Sequence, residues 1–177
     1  MLERPQSRRQ DTIKQQPLVI RRVDAIPVAL PLTTPVTMSG ITIATADNIL
    51  VRIEAVDGTV GWGEAASAPT MTGDTLGGLH AAVRDHLAPL LVGQDAWARP
   101  DLMRALKRAL VGNGGAHSAI EMALLDLCGR ASGRSLIELV GKPRRTSVRP
   151  MWLLGNKSTE QTVAEARAKA EIGRAHV

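Results

Sequence analysis

Apolar and polar positions change rhythm several times along the chain, and each change marks an element. The first seventeen residues, MLERPQSRRQDTIKQQP, contain no apolar run and carry Pro near both ends. Residues 1–17 are expected to be a disordered leader. Alternation starts at Leu18. In VIRRVDAIPVALPL, Ile20, Ile26, Val28 and Leu30 share one parity, which predicts a half-buried strand with those four facing inward. Residues 33–46 (TTPVTMSGITIATAD runs through them) are rich in Thr, Ser, Gly and Pro and are expected to be a loop. Alternation returns in NILVRIEAVDG, with Ile49, Val51 and Ile53 on one face and Arg52 and Glu54 on the other. Asp57-Gly58 predicts a tight hairpin, and TVGWGEA returns as a third strand. The front of the chain therefore reads as a small antiparallel meander.

The period then becomes helical. A second small polar loop, residues 65–74, leads to Asp74 or Thr75 as N-cap. In TLGGLHAAVRDHLAPLLVG, Leu76, Leu79, Val83, Leu87 and Leu90 form one stripe, and Gly93 is the expected C-cap. Pro100 suits the first turn of RPDLMRALKRALV, and Gly112-Asn113-Gly114-Gly115 breaks that helix. In AHSAIEMALLDLCGRASG, Ile120, Ala123, Leu124 and Leu127 follow i, i+3, i+4, i+7. Leu125 and Cys128 widen the stripe, so a central buried helix is expected. SLIELVG is a short helix closed by Gly141 and Pro143. Strands first and helices afterwards make an α+β class. After Pro143, TSVRPMWLLG reads as a strand and NKSTEQTVAEARAKAE as a helix capped by Ser158 or Thr159: one β/α unit.

Composition changes this picture little. Of 177 residues, 44% are hydrophobic but only 2% are aromatic, with no Phe or Tyr, so the core must be built from Ala, Leu, Val, Ile and Met. Scarce stacking platforms argue against a single-stranded nucleic-acid site. The net charge of +5 gathers in two places, the leader and KPRRTSVR (Lys142, Arg144, Arg145, Arg149). A solvated leader and linker are the simpler reading of both. The single cysteine, Cys128, excludes an intrachain disulfide and reads as a buried inert thiol. No signal peptide and no apolar run of spanning length is visible, so a cytoplasmic protein with no membrane and no nucleic-acid partner is expected.

Local chemistry names no active site. His80 and His86 stand six apart, which is not ligand spacing for a shared metal. His117 follows the glycine turn and is expected to make a first-turn polar contact. Glu64 ends the third strand and could serve as acid or base, or simply bind loop backbone. Glu121 and Asp126 do not share a helix face, and Asp126 with Arg130 reads as an i, i+4 ion pair. No Ser-His-Asp signature, P-loop or HExxH occurs.

Two distant motifs taken together resemble a known family. NILVRIEAVDGTVGWGEA resembles the hairpin of the mandelate racemase/muconate lactonizing enzyme family of the enolase superfamily, whose second strand ends in G-x-GE. AHSAIEMALLDLCGRASGRSLIELVGKPRR resembles that family's helix pattern, with Glu121, Asp126, Gly129, Arg130, Gly133 and Gly141 in register. The resemblance implies an N-terminal capping domain over residues 18–143, followed by the first unit of a TIM-type (β/α) barrel over 144–171. It implies that two cap loops, residues 33–46 and 65–74, close over the barrel mouth. On that basis Thr37, Met38 and Ser39 in the first and Ala68, Thr70, Met71 and Thr72 in the second are candidate substrate contacts. Trp152 and Leu154 then fall near the barrel mouth.

The family's chemistry is abstraction of the proton alpha to a carboxylate, with Mg²⁺ stabilising the enolate and Lys or His as base. A small carboxylate substrate and a homo-oligomer are implied for the parent enzyme. The catalytic lysines and metal carboxylates of the family lie on later barrel strands, and none has a counterpart in this sequence. Only 32 residues (177 − 145) follow Arg145, against about 250 in a complete barrel. The ending EIGRAHV resembles the translation of a common sequencing adapter, so residues 172–177 are expected to be an artefactual tail. The expectation is a fragment of an isomerase of racemase, epimerase or cycloisomerase type, inactive alone. A sugar-acid dehydratase and a basic binding module are the alternatives.

Overall fold

The computed structural model describes residues 16–38, 41–141, 143–145, 147–148, 152–154, 158–170 and 175–176. Strands β1 (Ile20–Met38), β2 (Ile41–Ala55) and β3 (Val60–Ala66) form one antiparallel sheet in the order β1-β2-β3. The Asp57-Gly58 hairpin forms as its sequence predicts. Gly58 sits at φ +87°, its N–H donates to the Ala55 carbonyl, and Asp57 Oδ1 accepts the Thr59 N–H. Ile49, Val51 and Ile53 lose all contact with solvent.

Two expectations for the first strand need correction. Ile20 is buried, but Ile26 and Leu30 are exposed, and Val23 and Ala25 pack on the core instead. The cause is a register shift between Ile20↔Ala55 and Arg22↔Glu54. One extra residue, Arg21, exchanges the two faces, so Val23 and Ala25 point inward after it, while Val28 is half-buried. Nor are the described residues of 33–46 an irregular loop. The β1–β2 ladder runs out to Met38↔Ile41, while β3 stops pairing at Asn48↔Ala66. Alternating Thr, Val and Ile suit a pleated ribbon, and that preference outweighs the turn-like composition. Pro27 and Pro31 are tolerated because β1 is an edge strand.

Thr75 caps helix α1 (Leu76–Ala81), accepting the Gly78 N–H at 3.1 Å. A π-helical turn (Ala82–Leu87) and α2 (Ala88–Leu91) continue it. Pro89 has no N–H and crowds the preceding carbonyls, and the turn before it widens so that Ala88 N–H donates to Val83 O. The stripe is thereby redirected. Leu79, Val83, Leu87 and Leu91 are buried, and Leu90, expected inside, is exposed.

Helix α3 (Arg99–Ala109) carries Pro100 in its first turn as predicted, after a 3₁₀ turn (Ala96–Ala98) capped by Asp95. Helix α4 (Gly114–Ser132) is the central buried helix, with Ala116, Ala119, Ile120, Ala123, Leu124 and Leu127 fully inside. Its contact with β3 explains the glycines of GWGEA. A Cβ at Gly61 would stand 2.2 Å from Ala123 O, and one at Gly63 would stand 1.9 Å from Ala119 O. Only bare backbone lets the helix lie this close. Helix α5 (Leu136–Val140) carries a Ser135/Glu138 capping box and ends at Gly141. Beyond it, β4 (Trp152–Leu153) pairs in parallel with β5 (Ala175–His176), and α6 (Thr159–Lys169) lies between them in sequence, capped by Ser158 with Gln161. Sheet and helices make an α+β capping domain followed by a β/α unit.

Candidate capping site

The close β3–α4 contact sets the geometry of one end of the domain. Gly63 meets Ala119 and Gly61 meets Ala123 and Leu127, so the N-terminus of α4 lies at the C-terminal end of β3. From that same end leave the outer β1–β2 ribbon and the segment after Ala66. Both segments expected to cap a substrate therefore emerge together, beside the Gly112–Gly115 turn.

Residues 67–74 are closed by their own backbone. Ala68 N–H donates to Asp74 O at 2.9 Å, and Ala68 O accepts from Met71, Thr72 and Gly73. Ser67 N–H donates to Asp47 O, which fastens the turn to β2. The Thr72 hydroxyl donates to Asp74 Oδ2 at 3.0 Å. Asp74 in turn stands against α4, where a Cβ on Gly115 would come 3.1 Å from its Oδ2. Asn113 adopts the left-handed conformation at φ +51° and gives its side-chain amide to Val111 O. It therefore offers no side-chain cap to α4, whose first turn carries no acid of its own.

A cavity of about 690 Å³ opens between these parts, lined by Glu64, Ala68, Thr72, Asp74, Asn113 and Ser118 among others. Asn48 donates to the Glu64 carboxylate across the strands. On the other side of the glycine turn, a cavity of about 380 Å³ lies between α3 and α4 beside Lys107, His117 and Glu121. His117 is buried and its Nε2 meets Leu110 O at 2.9 Å, while its N–H donates to Asn113 O. The expected first-turn contact is thus a brace on the turn shared by both cavities. Glu121 pairs with Arg99 at 2.7 Å. Asp126 Oδ2 accepts both Arg130 Nε, as its spacing predicts, and the outward Trp62 N–H of β3, each at 2.9 Å.

Among the candidate contacts, Ala68 and Thr72 line the larger cavity. Thr70 and Met71 are exposed beside it, Met71 at 70%. Thr37 stands on the outer ribbon with its hydroxyl 3.0 Å from that of Thr42. Met38 ends β1, and Ser39 lies outside the described residues. Leu154 is half-buried. Trp152 turns to α6: its indole N–H donates to Glu165 Oε1 at 3.2 Å, and Lys169 Nζ sits 4.2 Å from the ring centre. Of the basic cluster, Arg144 and Arg145 are exposed, and Lys142 and Arg149 lie outside the described residues. Asn113 and Ser118 were not expected in the site. Asn between glycines is a signal for a left-handed residue, which could have marked the turn as shaped rather than merely broken.

No group of three or more His, Cys, Asp and Glu gathers among the described residues as a metal site. No helix among the described residues is long and apolar enough to cross a membrane.

Residues 20–141 match the family model for the mandelate racemase / muconate lactonizing enzyme N-terminal domain. This chain belongs to the mandelate racemase/muconate lactonizing enzyme family. It is 34% identical over 149 residues to a chloromuconate cycloisomerase of Cupriavidus pinatubonensis, covering 83% of this chain and 40% of that one. It is 32% identical over 147 residues to an L-Ala-D/L-Glu epimerase of Bacillus subtilis, again with 83% and 40% covered. Among solved structures it resembles a muconate lactonizing enzyme from Pseudomonas fluorescens complexed with muconolactone. That match has a TM-score of 0.80 and 30% identity over 86% of this chain and 42% of the other. The chain thus spans about 40% of the length of the curated relatives it matches.

Proposed function

We propose that this chain is the substrate-capping part of an enolase-superfamily isomerase that abstracts the proton alpha to a substrate carboxylate. The reaction type is racemisation, epimerisation or cycloisomerisation, as the names of its relatives suggest. The supporting observation is the convergence at one end of the domain of the outer β1–β2 ribbon, the 67–74 turn and the larger cavity. Segments so placed can exclude water from a reaction beneath them and contact the part of the substrate remote from the proton. In this reading Thr37, Met38, Ser39, Ala68, Thr70, Met71 and Thr72 face the substrate, and Trp152 and Leu154 belong to the first barrel strand. The base and the carboxylates for Mg²⁺ belong to later barrel strands, so the chain by itself has no turnover. The substrate is a small carboxylate, and the parent enzyme is a cytoplasmic homo-oligomer.

A chimera tests this. Residues 18–143 replace the cap of a muconate cycloisomerase, and turnover is measured on muconate and on dipeptides. A folded chimera whose substrate preference moves, and whose KM rises on Met71→Ala or Thr72→Ala, supports the reading. A folded, active chimera with unchanged preference and no response to either substitution overturns it.

A further inference from the structure

The Gly112–Gly115 turn, which walls the larger cavity, is held by hydrogen bonds more than by packing. Three of its four residues are glycine, and a Cβ at Gly112 or Gly114 would meet nothing within 4 Å. Gly112 and Asn113 are both left-handed, at φ +73° and +51°. A glycine-rich segment left to itself samples many other conformations. Three hydrogen bonds select this one, and His117 makes two of them. Its Nε2 donates to Leu110 O at 2.9 Å, and its backbone N–H donates to Asn113 O at 3.1 Å. The third runs from the Asn113 side-chain amide to Val111 O at 3.1 Å. The Leu110 bond is the one that crosses between elements. Leu110 is the C-cap of α3, and the last carbonyls of a helix have no partner within it. His117 is buried in the first turn of α4. A carbonyl only accepts, so Nε2 carries the proton, and Nδ1 has no partner among the described residues.

We propose that His117 is a positioning residue for substrate recognition. Through Leu110 O it fixes the turn, so that Asn113 and Ser118 stand in the wall of the larger cavity as contacts to the part of the substrate remote from the reacting carbon. This rests on the capping reading above and adds to the cap segments a rigid contact from the start of α4. The imidazole itself does not meet the substrate, because His117 lines the smaller cavity on the other side of the turn. Its effect is preorganisation: a wall already in place costs no ordering when substrate arrives.

The test begins with the full chain. Imidazole nitrogen shifts should show Nε2 as the protonated nitrogen. His117→Leu should speed hydrogen exchange of the amide at position 117 about fivefold or more and raise the mobility of Gly112–Gly115, while Val51 keeps its protection. His117→Gln, whose amide can still donate to Leu110 O, should restore most of both. A proton on Nδ1 in place of Nε2 overturns the proposal, as does an exchange rate that His117→Leu leaves unchanged. In the chimera carrying residues 18–143, His117→Leu and Ser118→Ala should each raise KM about fivefold with kcat unchanged, and His117→Gln should again restore it. An active chimera whose KM is unmoved by His117→Leu or by Ser118→Ala overturns it too. Should the chimera be inactive, the two measurements on the full chain decide by themselves. A chimera whose substrate preference stays fixed while His117→Leu still raises KM counts against the capping reading and not against His117.

Discussion

Gly61 and Gly63 show how a single missing methyl group organises the domain. Each lies against the backbone of α4, with a Cβ at Gly61 meeting Leu127 N at 2.4 Å as well as Ala123 O. Backbone cannot rotate away as a side chain can. Gly61→Ala or Gly63→Ala should therefore cost about 3 kcal/mol or more, read as a fall in the urea midpoint at constant slope. Asp126 works at the same contact by accepting the Trp62 N–H on the open edge of the sheet. Asp126→Ala is expected to cost about 1 kcal/mol. Asp126→Asn should recover much of that, because its amide oxygen still accepts from Trp62. Cys128 is a different case. Its burial pushes the thiol up to about 11, and Sγ lies 3.5 Å from Ala96 O. At pH 8 it should stay unreactive towards a thiol reagent in the folded chain and react at the rate of a free thiol in urea.

At the level of elements, caps and interruptions decide where regular structure stops. In α5 the Ser135 hydroxyl, and then its backbone N–H, hold the Glu138 carboxyl below the usual range. A lowered folded value means that the contribution is complete above the ordinary glutamate range and is lost as pH falls through the lowered value. Ser135→Ala should raise the Glu138 titration midpoint towards that of a free glutamate, followed by NMR of its carboxyl carbon. An unchanged midpoint would mean that the capping box does not persist in solution. The π turn before Pro89 is an interruption of another kind. Its wider turn keeps Leu79, Val83, Leu87 and Leu91 in one line where a regular helix would have turned Leu90 inward.

Across the whole molecule, stability is uneven. The buried cluster joins β1, β2 and helices α1 to α4, whereas α6 has no buried residue among those described. Elements with little buried apolar surface open first. Brief trypsin treatment should therefore cut among the basic residues after Arg134 and leave a resistant core containing residues 18–132, identified by mass. Loss of the β1–β2 end before the C-terminal unit would contradict this order. The same distribution fits a domain that folds around its own core.

Much of this was readable in the sequence because it depends on near neighbours. Alternation in 49–53, the Asp57-Gly58 turn, the Thr75 and Ser158 caps and the stripe of Ile120 to Leu127 all follow from local backbone preference and periodic burial. The two motifs led to the family because they encode one contact, glycines of β3 against α4. Tertiary structure alone decided the rest. A one-residue bulge at Arg21 exchanged the faces of β1, and pairing across the ribbon turned an apparent loop into strand. Folding also brought Glu64 of β3, Asp74 of the 67–74 turn, and Asn113 and Ser118 at the start of α4 to one cavity. Such features arise from register and from contacts between distant residues, and periodicity within a single stretch carries no record of either.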